Sequence, residues 1–306
     1  MYSGAELRVL VAAEGEPTVS TLAEKLDRSV NYVSELVEQL EESGLVYTTR
    51  SGKTKRIHRS GTRAVELLDQ FVQQYPHIPV PELLAGATLR ILYYLDEPTG
   101  PTELAERADV HRSTVYRSLS PLQHRGLVYR DDGDYALNDD FEGIATLARE
   151  FAHHRNRNRV QAYADTYTIL WESLDEFLVG TDERIEADAF HLTGPERFQA
   201  YDLPLLARQR RYYMYSEFSE EVTPAELCCH MLVIGDDTRS RSYCLLLLSE
   251  VEMDREELLD VAAMYGVEAA VTDLLEYLDT EGETRTERLP TWGEFRELAD
   301  EYEVAV

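Results

Sequence analysis

Lysine is nearly missing from this chain: of 30 basic side chains only Lys25, Lys53 and Lys55 are lysine, set against 58 acidic ones. Cysteine is scarce too. Cys228, Cys229 and Cys244 are too few for a disulfide framework and fit a reducing compartment. No apolar run approaches the roughly 18 residues that a membrane-spanning helix requires, so no membrane partner is expected. The N-terminal stretch has neither the basic start nor the unbroken apolar core of a secretion signal and reads as the first helix of the fold. A soluble, cytoplasmic protein is the expectation. Also absent are a Walker loop, a GxGxxG turn, an HExxH pair and a nucleophile elbow. Their absence removes the commonest enzyme signatures and leaves no cofactor implied.

The formal net charge of −28 is carried along the whole length. An acidic surface almost without lysine resembles that of cytoplasmic proteins of extreme halophiles, where hydrated carboxylates keep the protein soluble in molar salt. The distribution is uneven, however. Residues 1–63 balance 9 acidic with 9 basic side chains, residues 64–183 hold 21 and 10, and residues 184–306 hold 28 and 11. Only the first stretch is kept from turning acidic, so it alone escapes the repulsion that acidity imposes on a nucleic-acid binder.

The chain repeats itself once, at an offset of 82 residues. Leu7-Arg8-Val9-Leu10 returns as Leu89-Arg90-Ile91-Leu92, Leu22-Ala23-Glu24-Lys25 as Leu104-Ala105-Glu106-Arg107, and Gly44-Leu45-Val46-Tyr47 as Gly126-Leu127-Val128-Tyr129. No gap is needed from 7 to 47, and 13 of those 41 positions are identical, among them Asp27/Asp109, Val33/Val115 and Leu40/Leu122. The period is too long for one solenoid unit and predicts two copies of a small domain. Each copy reads as a helix, a short second helix (Val19–Leu26 or Pro101–Ala108), and a third helix starting near Ser29 or Arg112. The third helix ends at Gly44 or Gly126 and is followed by a β-hairpin.

That order, with the run L-A-x9-V-x3-[LV]-x2-L-x3-G-L-V in both copies, resembles the winged-helix regulators of the MarR and ArsR type. The resemblance covers about 7–60 and 87–138 and implies double-stranded DNA as the partner. The expected fold is mainly α with small β: winged helices at 1–60 and 87–140, a linker helix at 61–86, a long linker and dimerisation helix at 141–183, and an α+β domain at 184–306.

A recognition helix meets base edges near its start. In the first copy that start offers Arg28, Ser29, Asn31, Tyr32 and Ser34, with Glu35 and Glu38 placed to face away from DNA. In the second it offers His111, Arg112, Ser113, Thr114 and Arg117, types that hydrogen-bond bases or phosphates. The first hairpin, residues 50–59, carries Arg50, Lys53, Lys55, Arg56 and Arg59 with no acid and is expected to hold phosphate. The second, Arg130-Asp131-Asp132-Gly133-Asp134, is acidic, so its copy reads DNA by the helix alone or contacts protein. In molar salt phosphate attraction fades, leaving base contacts, shape and dimerisation to carry specificity.

Ile144, Leu147, Phe151, Tyr163, Tyr167, Leu170, Leu174 and Phe177 recur at near-helical spacing over 141–180, which suits a homodimer seam or packing on the next domain. Within this stretch Arg155, Arg157 and Arg159 lie in an acid-free run that reads as a second phosphate contact or as a surface facing acidic residues. From Arg184 onward, strands are expected at Ala189–Leu192 and Tyr212–Phe218, and a helix at Thr223-Pro224-Ala225-Glu226, which combines cap, N1 proline and capping-box acid. Helices follow at Met253–Tyr265, Val267–Asp279 and Thr291–Tyr302. With Leu289-Pro290-Thr291-Trp292 this half weakly resembles partner-binding halves of AbiE-type antitoxins. A small-molecule ligand or protein partner is expected there, and an antitoxin-like autorepressor is the alternative reading. The Cys228-Cys229-His230 cluster lacks zinc spacing and no metal is expected, while Gly235-Asp236-Asp237 reads as a polar turn in preference to a catalytic acidic pair.

Overall fold

The computed structural model describes residues 1–52, 54–205, 210–219 and 221–306, and in it each copy of the repeat forms three helices followed by a two-stranded hairpin. In the first copy α1 (Gly4–Ala12) opens on a Ser3/Glu6 capping box, and α2 (Val19–Leu26) and α3 (Val30–Glu42) are capped by the Thr18 and Ser29 hydroxyls. The hairpin is β1 (Val46–Ser51) and β2 (Thr54–Arg59). After α4 (Arg63–Gln74) and α5 (Val80–Leu83), the second copy gives α6 (Ala87–Tyr93), α7 (Pro101–Arg107), α8 (Arg112–Gln123), β3 (Val128–Asp131) and β4 (Asp134–Leu137).

Two of the repeated identities are backbone requirements. Asp27 and Asp109 follow the second helix of each copy at φ 53° and 49°, in the left-handed region that Asp tolerates better than most residues. Gly44 and Gly126, past the third helix, sit at φ 69° and 72°. Most of the apolar identities are core: Leu7, Leu22, Val33 and Leu40, with Leu89, Leu104, Val115 and Leu122, are all fully buried.

The two copies do not keep separate cores. One apolar cluster runs from Tyr2 to Phe151 and includes both copies, α4 and the first half of α9 (Gly143–Gln161). On α9, Phe151 packs on Tyr2 with ring centroids 5.2 Å apart, and Arg149 Nε donates to the Tyr93 carbonyl at 3.2 Å. Further along, His154 Nε2 donates to the Ser43 carbonyl at 2.6 Å and Asn158 donates to the same oxygen. That carbonyl ends α3, so α9 fastens the end of the expected recognition helix. Burial, against the bond to Ser43, keeps the His154 pKa below its ordinary value.

The chain divides into two compact units, Met1–Arg159 and Val160–Val306. The expected helix over 141–183 is therefore corrected: α9 stops at Gln161, and β5 (Tyr167–Glu172) and β6 (Phe177–Thr181) follow. The run Tyr167-Thr168-Ile169-Leu170-Trp171 is rich in β-branched and aromatic residues, which favour a pleated surface. Ile144, Leu147 and Phe151 lie in the core of the first unit and Leu174 and Phe177 are buried in the second, so no continuous helical seam connects them.

In the second unit β7 (Phe190–Thr193) and β8 (Arg211–Tyr215) complete an antiparallel sheet in the order β5-β6-β8-β7. Five helices follow: α10 (Pro224–Ile234), α11 (Thr238–Glu250), α12 (Arg255–Tyr265), α13 (Glu268–Asp279) and α14 (Trp292–Glu301). The Thr223/Glu226 and Thr291/Glu294 capping boxes start α10 and α14. Cys228, Cys229 and Cys244 are fully buried on α10 and α11 and act as small apolar groups, with the Cys244 thiol donating to the Cys228 carbonyl. The chain is mainly helical with its strands in small sheets. Among the described residues no helix is long and apolar enough to cross a membrane.

Candidate nucleic-acid interface

The start of α3 projects from the first module. The Ser29 hydroxyl oxygen accepts the Tyr32 N–H at 3.3 Å, so Ser29 is the helix cap as well as a surface group. Arg28 Nη1 donates to the Asp27 carbonyl at 2.8 Å, which orients its guanidinium beside the left-handed turn. Arg28, Ser29, Val30, Asn31 and Tyr32 are all exposed, and Ser34 is half-buried. Val30 is 49% and Tyr32 40% exposed, although Val33, Leu36 and Val37 behind them are buried. An apolar valine and a tyrosine in the first turn of a well-packed helix thus contribute little to the fold. The Asn31 side chain makes no hydrogen bond among the described residues.

The hairpin departs from the expected all-purpose basic arm. Its register pairs Arg50 with Lys55 and Ser51 with Thr54, leaving Gly52 at φ 63° at the tip. Lys53 lies outside the described residues. Arg50 is exposed and makes no ion pair among the described residues. Three of the five charges are instead engaged by the fold. Lys55 pairs with Glu41 of α3 at 3.3 Å, Arg56 Nη1 donates to the Glu16 carbonyl at 3.1 Å, and Arg59 pairs with Asp69 of α4. Glu41 also accepts from the Thr48 hydroxyl at 2.6 Å. That bond, against burial and then with Lys55, holds its carboxyl below the usual range.

Two tyrosines at equivalent hairpin positions were not singled out from sequence. Tyr47 is 52% and Tyr129 46% exposed, and Tyr47 stacks on His58 with centroids 4.9 Å apart and planes 9° from parallel. The signal was present, since Gly-Leu-Val-Tyr is identical in both copies and its Leu and Val are buried while its Tyr is not.

The second module commits its helix start to itself. His111 caps α8 through Nδ1, which accepts the Ser113 N–H at 3.2 Å and lies 2.7 Å from the Ser113 hydroxyl. Arg112 Nε donates to Tyr116 Oη at 3.0 Å and Arg117 Nη2 to Thr114 Oγ1 at 3.5 Å. Arg130 folds back over the rings of Tyr116 and Tyr135 at 5.9 and 5.3 Å, with its Nε on the Gly133 carbonyl. All five residues expected to read DNA here have a partner inside the module.

In the segment around Arg155, Arg157 and Arg159, one face holds His154 and Asn158 against Ser43, and Asn156 is fully buried. Arg157 is exposed, while Arg155 and Arg159 are half-buried. The acidic pair is structural. Asp237 caps α11 by accepting the Ser240 N–H at 2.8 Å, and Asp236 holds the Arg241 guanidinium and Arg288.

Three family models match separate stretches: HVO_A0114 over residues 6–61, the HVO_A0261 N-terminal domain over 86–162, and a C-terminal model, HVO_2833_C, over 187–304. These are haloarchaeal domain families, and none of the three descriptions names an activity. The second match ends within a residue of the end of α9, and the third begins inside the second unit. No curated protein matches the chain.

Proposed function

We propose that the chain is a sequence-specific DNA-binding transcription regulator whose first module acts as a winged helix, with the start of α3 in the major groove. The observation that carries this is the exposed run Arg28 to Tyr32. Asn31 suits the two-pronged edge of adenine, Arg28 a guanine edge or a phosphate, and Val30 with Tyr32 the methyl of thymine. Arg50 at the hairpin supplies a phosphate contact.

With Lys55, Arg56 and Arg59 engaged by Glu41, Glu16 and Asp69, the phosphate contacts reduce to Arg28, Arg50 and Lys53. A binder with so few has a shallow salt dependence, with a log–log slope of about −3 or less steep. That suits a protein whose surface is built for concentrated salt.

The test is selection of bound sequences from a random duplex pool by the full chain, followed by fluorescence anisotropy on the enriched site. Asn31→Ala and Arg28→Ala are each expected to weaken binding by about tenfold or more. Lys55→Gln should stay within about threefold, because its ammonium is on Glu41. Failure to enrich any sequence, or equal affinity of both α3 variants and the unsubstituted chain, overturns the reading.

A further inference from the structure

In the second unit a cavity of about 170 Å³ opens between β8, α10 and α11, with room for roughly five or six water molecules. One side is apolar, formed by Met231 and Ile234. The other presents two guanidinium groups, Arg210 and Arg239, and the rings of Tyr212 and Tyr243.

Arg210 is held in place. Its Nη2 donates to Thr168 Oγ1 at 2.6 Å and to the Gly180 carbonyl at 3.0 Å, anchoring it to β5 and β6 together. Glycine at 180 makes that possible, since a Cβ there would lie 2.8 Å from Arg210 Nε and 3.0 Å from Tyr212 Cε1. Gly194 does the same for the opposite wall. At φ +66° it lets Tyr212 and Ile234 approach where a Cβ would meet both at 3.0 Å. Arg239 is steadied by Tyr243, donating to its Oη at 2.9 Å and lying 5.4 Å over its ring.

The charge context singles Arg210 out. Residues 160–306 carry 34 acidic side chains and 11 arginines. Arg184, Arg197, Arg211, Arg241, Arg255 and Arg288 each hold a carboxylate. Arg210 is bonded to a hydroxyl and a carbonyl, both neutral, and no carboxylate lies against it among the described residues. A fixed guanidinium in a concave, half-apolar site within so acidic a unit is an anion receptor. Asp237 stands at the rim with its carboxylate turned onto the Ser240 N–H, and its charge disfavours a dianion.

We propose that this cavity binds a small organic monoanion, a carboxylate with a flat or short apolar body. The carboxylate lies on Arg210 and Arg239 and the body lies against Met231, Ile234 and the two tyrosine rings. The cavity is smaller than those that enclose drug-sized ligands, which sets the size class at about that of benzoate.

The test uses the full chain and three probes, benzoate, its neutral isostere benzamide, and sulfate, followed by titration calorimetry and saturation-transfer NMR. Benzoate is expected to bind saturably at one site, with benzamide and sulfate weaker by about tenfold or more. Arg210→Gln and Arg239→Gln should each weaken benzoate by a similar factor. Gly180→Ala, which pushes Arg210 off its seat, should act in the same direction, while Arg296→Gln at an exposed position of α14 should leave binding unchanged. Cooperative thermal unfolding of each variant checks the fold. No saturable benzoate signal, benzamide or sulfate binding as tightly as benzoate, or a folded Arg239→Gln variant with unaltered affinity overturns the proposal. The readout is ligand binding alone and stands apart from any DNA activity.

Discussion

Replacing Arg241 by methionine is expected to lower the stability of the second unit by about 3 kcal/mol. Arg241 is only 4% exposed, and its guanidinium ties three parts of the unit together. Its Nε meets Asp236 Oδ1 at 2.5 Å, and its Nη1 meets Asp273 Oδ2 of α13 at 2.8 Å and Thr286 Oγ1 at 3.3 Å. Burial alone would raise the Asp236 pKa, but hydrogen bonds and charge from Arg241 and then Arg288 hold it below its ordinary value. Removing Arg241 leaves the Asp273 carboxylate without its guanidinium and Asp236 with Arg288 alone. Breaking a buried ion pair costs about 3–5 kcal/mol, and the lower end applies because both carboxylates keep some solvent contact. Urea unfolding at fixed ionic strength measures the loss, and tryptophan fluorescence isolates it, since Trp171 and Trp292 are the chain's two tryptophans and both belong to this unit. Neutralising Asp236 and Asp273 to Asn in the methionine background should recover at least half of the deficit. A loss under about 1 kcal/mol in the single variant would show that the pair is no more than a surface contact.

What was legible in the sequence follows from which forces act locally. The repeat was visible because each copy needs the same buried residues and the same left-handed turns at Asp27/Asp109 and Gly44/Gly126, and such requirements leave letters in register. Capping boxes at Thr223 and Thr291 were readable because cap and acid are three residues apart. The charge of the first hairpin was countable, yet its meaning was not. Lys55, Arg56 and Arg59 find their partners on α3, on the turn before α2 and on α4, contacts that no local pattern announces.

The stretch from 167 to 181 failed for a related reason. Tyr163, Tyr167, Leu170, Leu174 and Phe177 fall at intervals of three or four, which is helical spacing. In β5 a register shift between Ile169 and Trp171 breaks the alternation that would have marked a strand. β6 is buried along its whole length and therefore alternates in nothing. The cavity was illegible altogether. Arg210, Arg239 and Gly180 come together only through sheet pairing and the packing of α10 and α11, and nothing in their spacing relates them.

Lowering the pH from 6.5 to 4.5 is expected to remove about 2.3 kcal/mol from the stability of the second unit, through His230. This imidazole is fully buried on α10, with Nδ1 2.8 Å from Thr193 Oγ1 and the Tyr265 ring edge-on at 4.8 Å. Its Nε2 is buried without a hydrogen-bond partner among the described residues, so a protonated ring would carry a charge and an unanswered N–H into an apolar interior. Burial pushes its pKa down from 6.5 to about 3. The sign then follows. Above pH 6.5 both folded and unfolded chains hold a neutral imidazole and no penalty exists. Below it the unfolded chain takes up the proton and the folded chain does not, so stability falls by about 1.4 kcal/mol per pH unit until the folded pKa is reached. Carboxylates held low by their partners, Glu294 and Asp236 among them, begin to lose their contribution from about pH 5 downward, so the comparison with His230→Asn isolates the histidine within the window. His154, also depressed, belongs to the first unit and is invisible to the tryptophans. His230→Asn keeps a hydrogen-bonding group near Thr193 and removes the titration. Its stability at pH 7 drops because the smaller side chain leaves space, but its dependence on pH between 6.5 and 4.5 should flatten. A wild-type slope under about 0.5 kcal/mol per pH unit, or an Asn variant with the wild-type slope, would mean that the buried imidazole takes its proton without unfolding the unit.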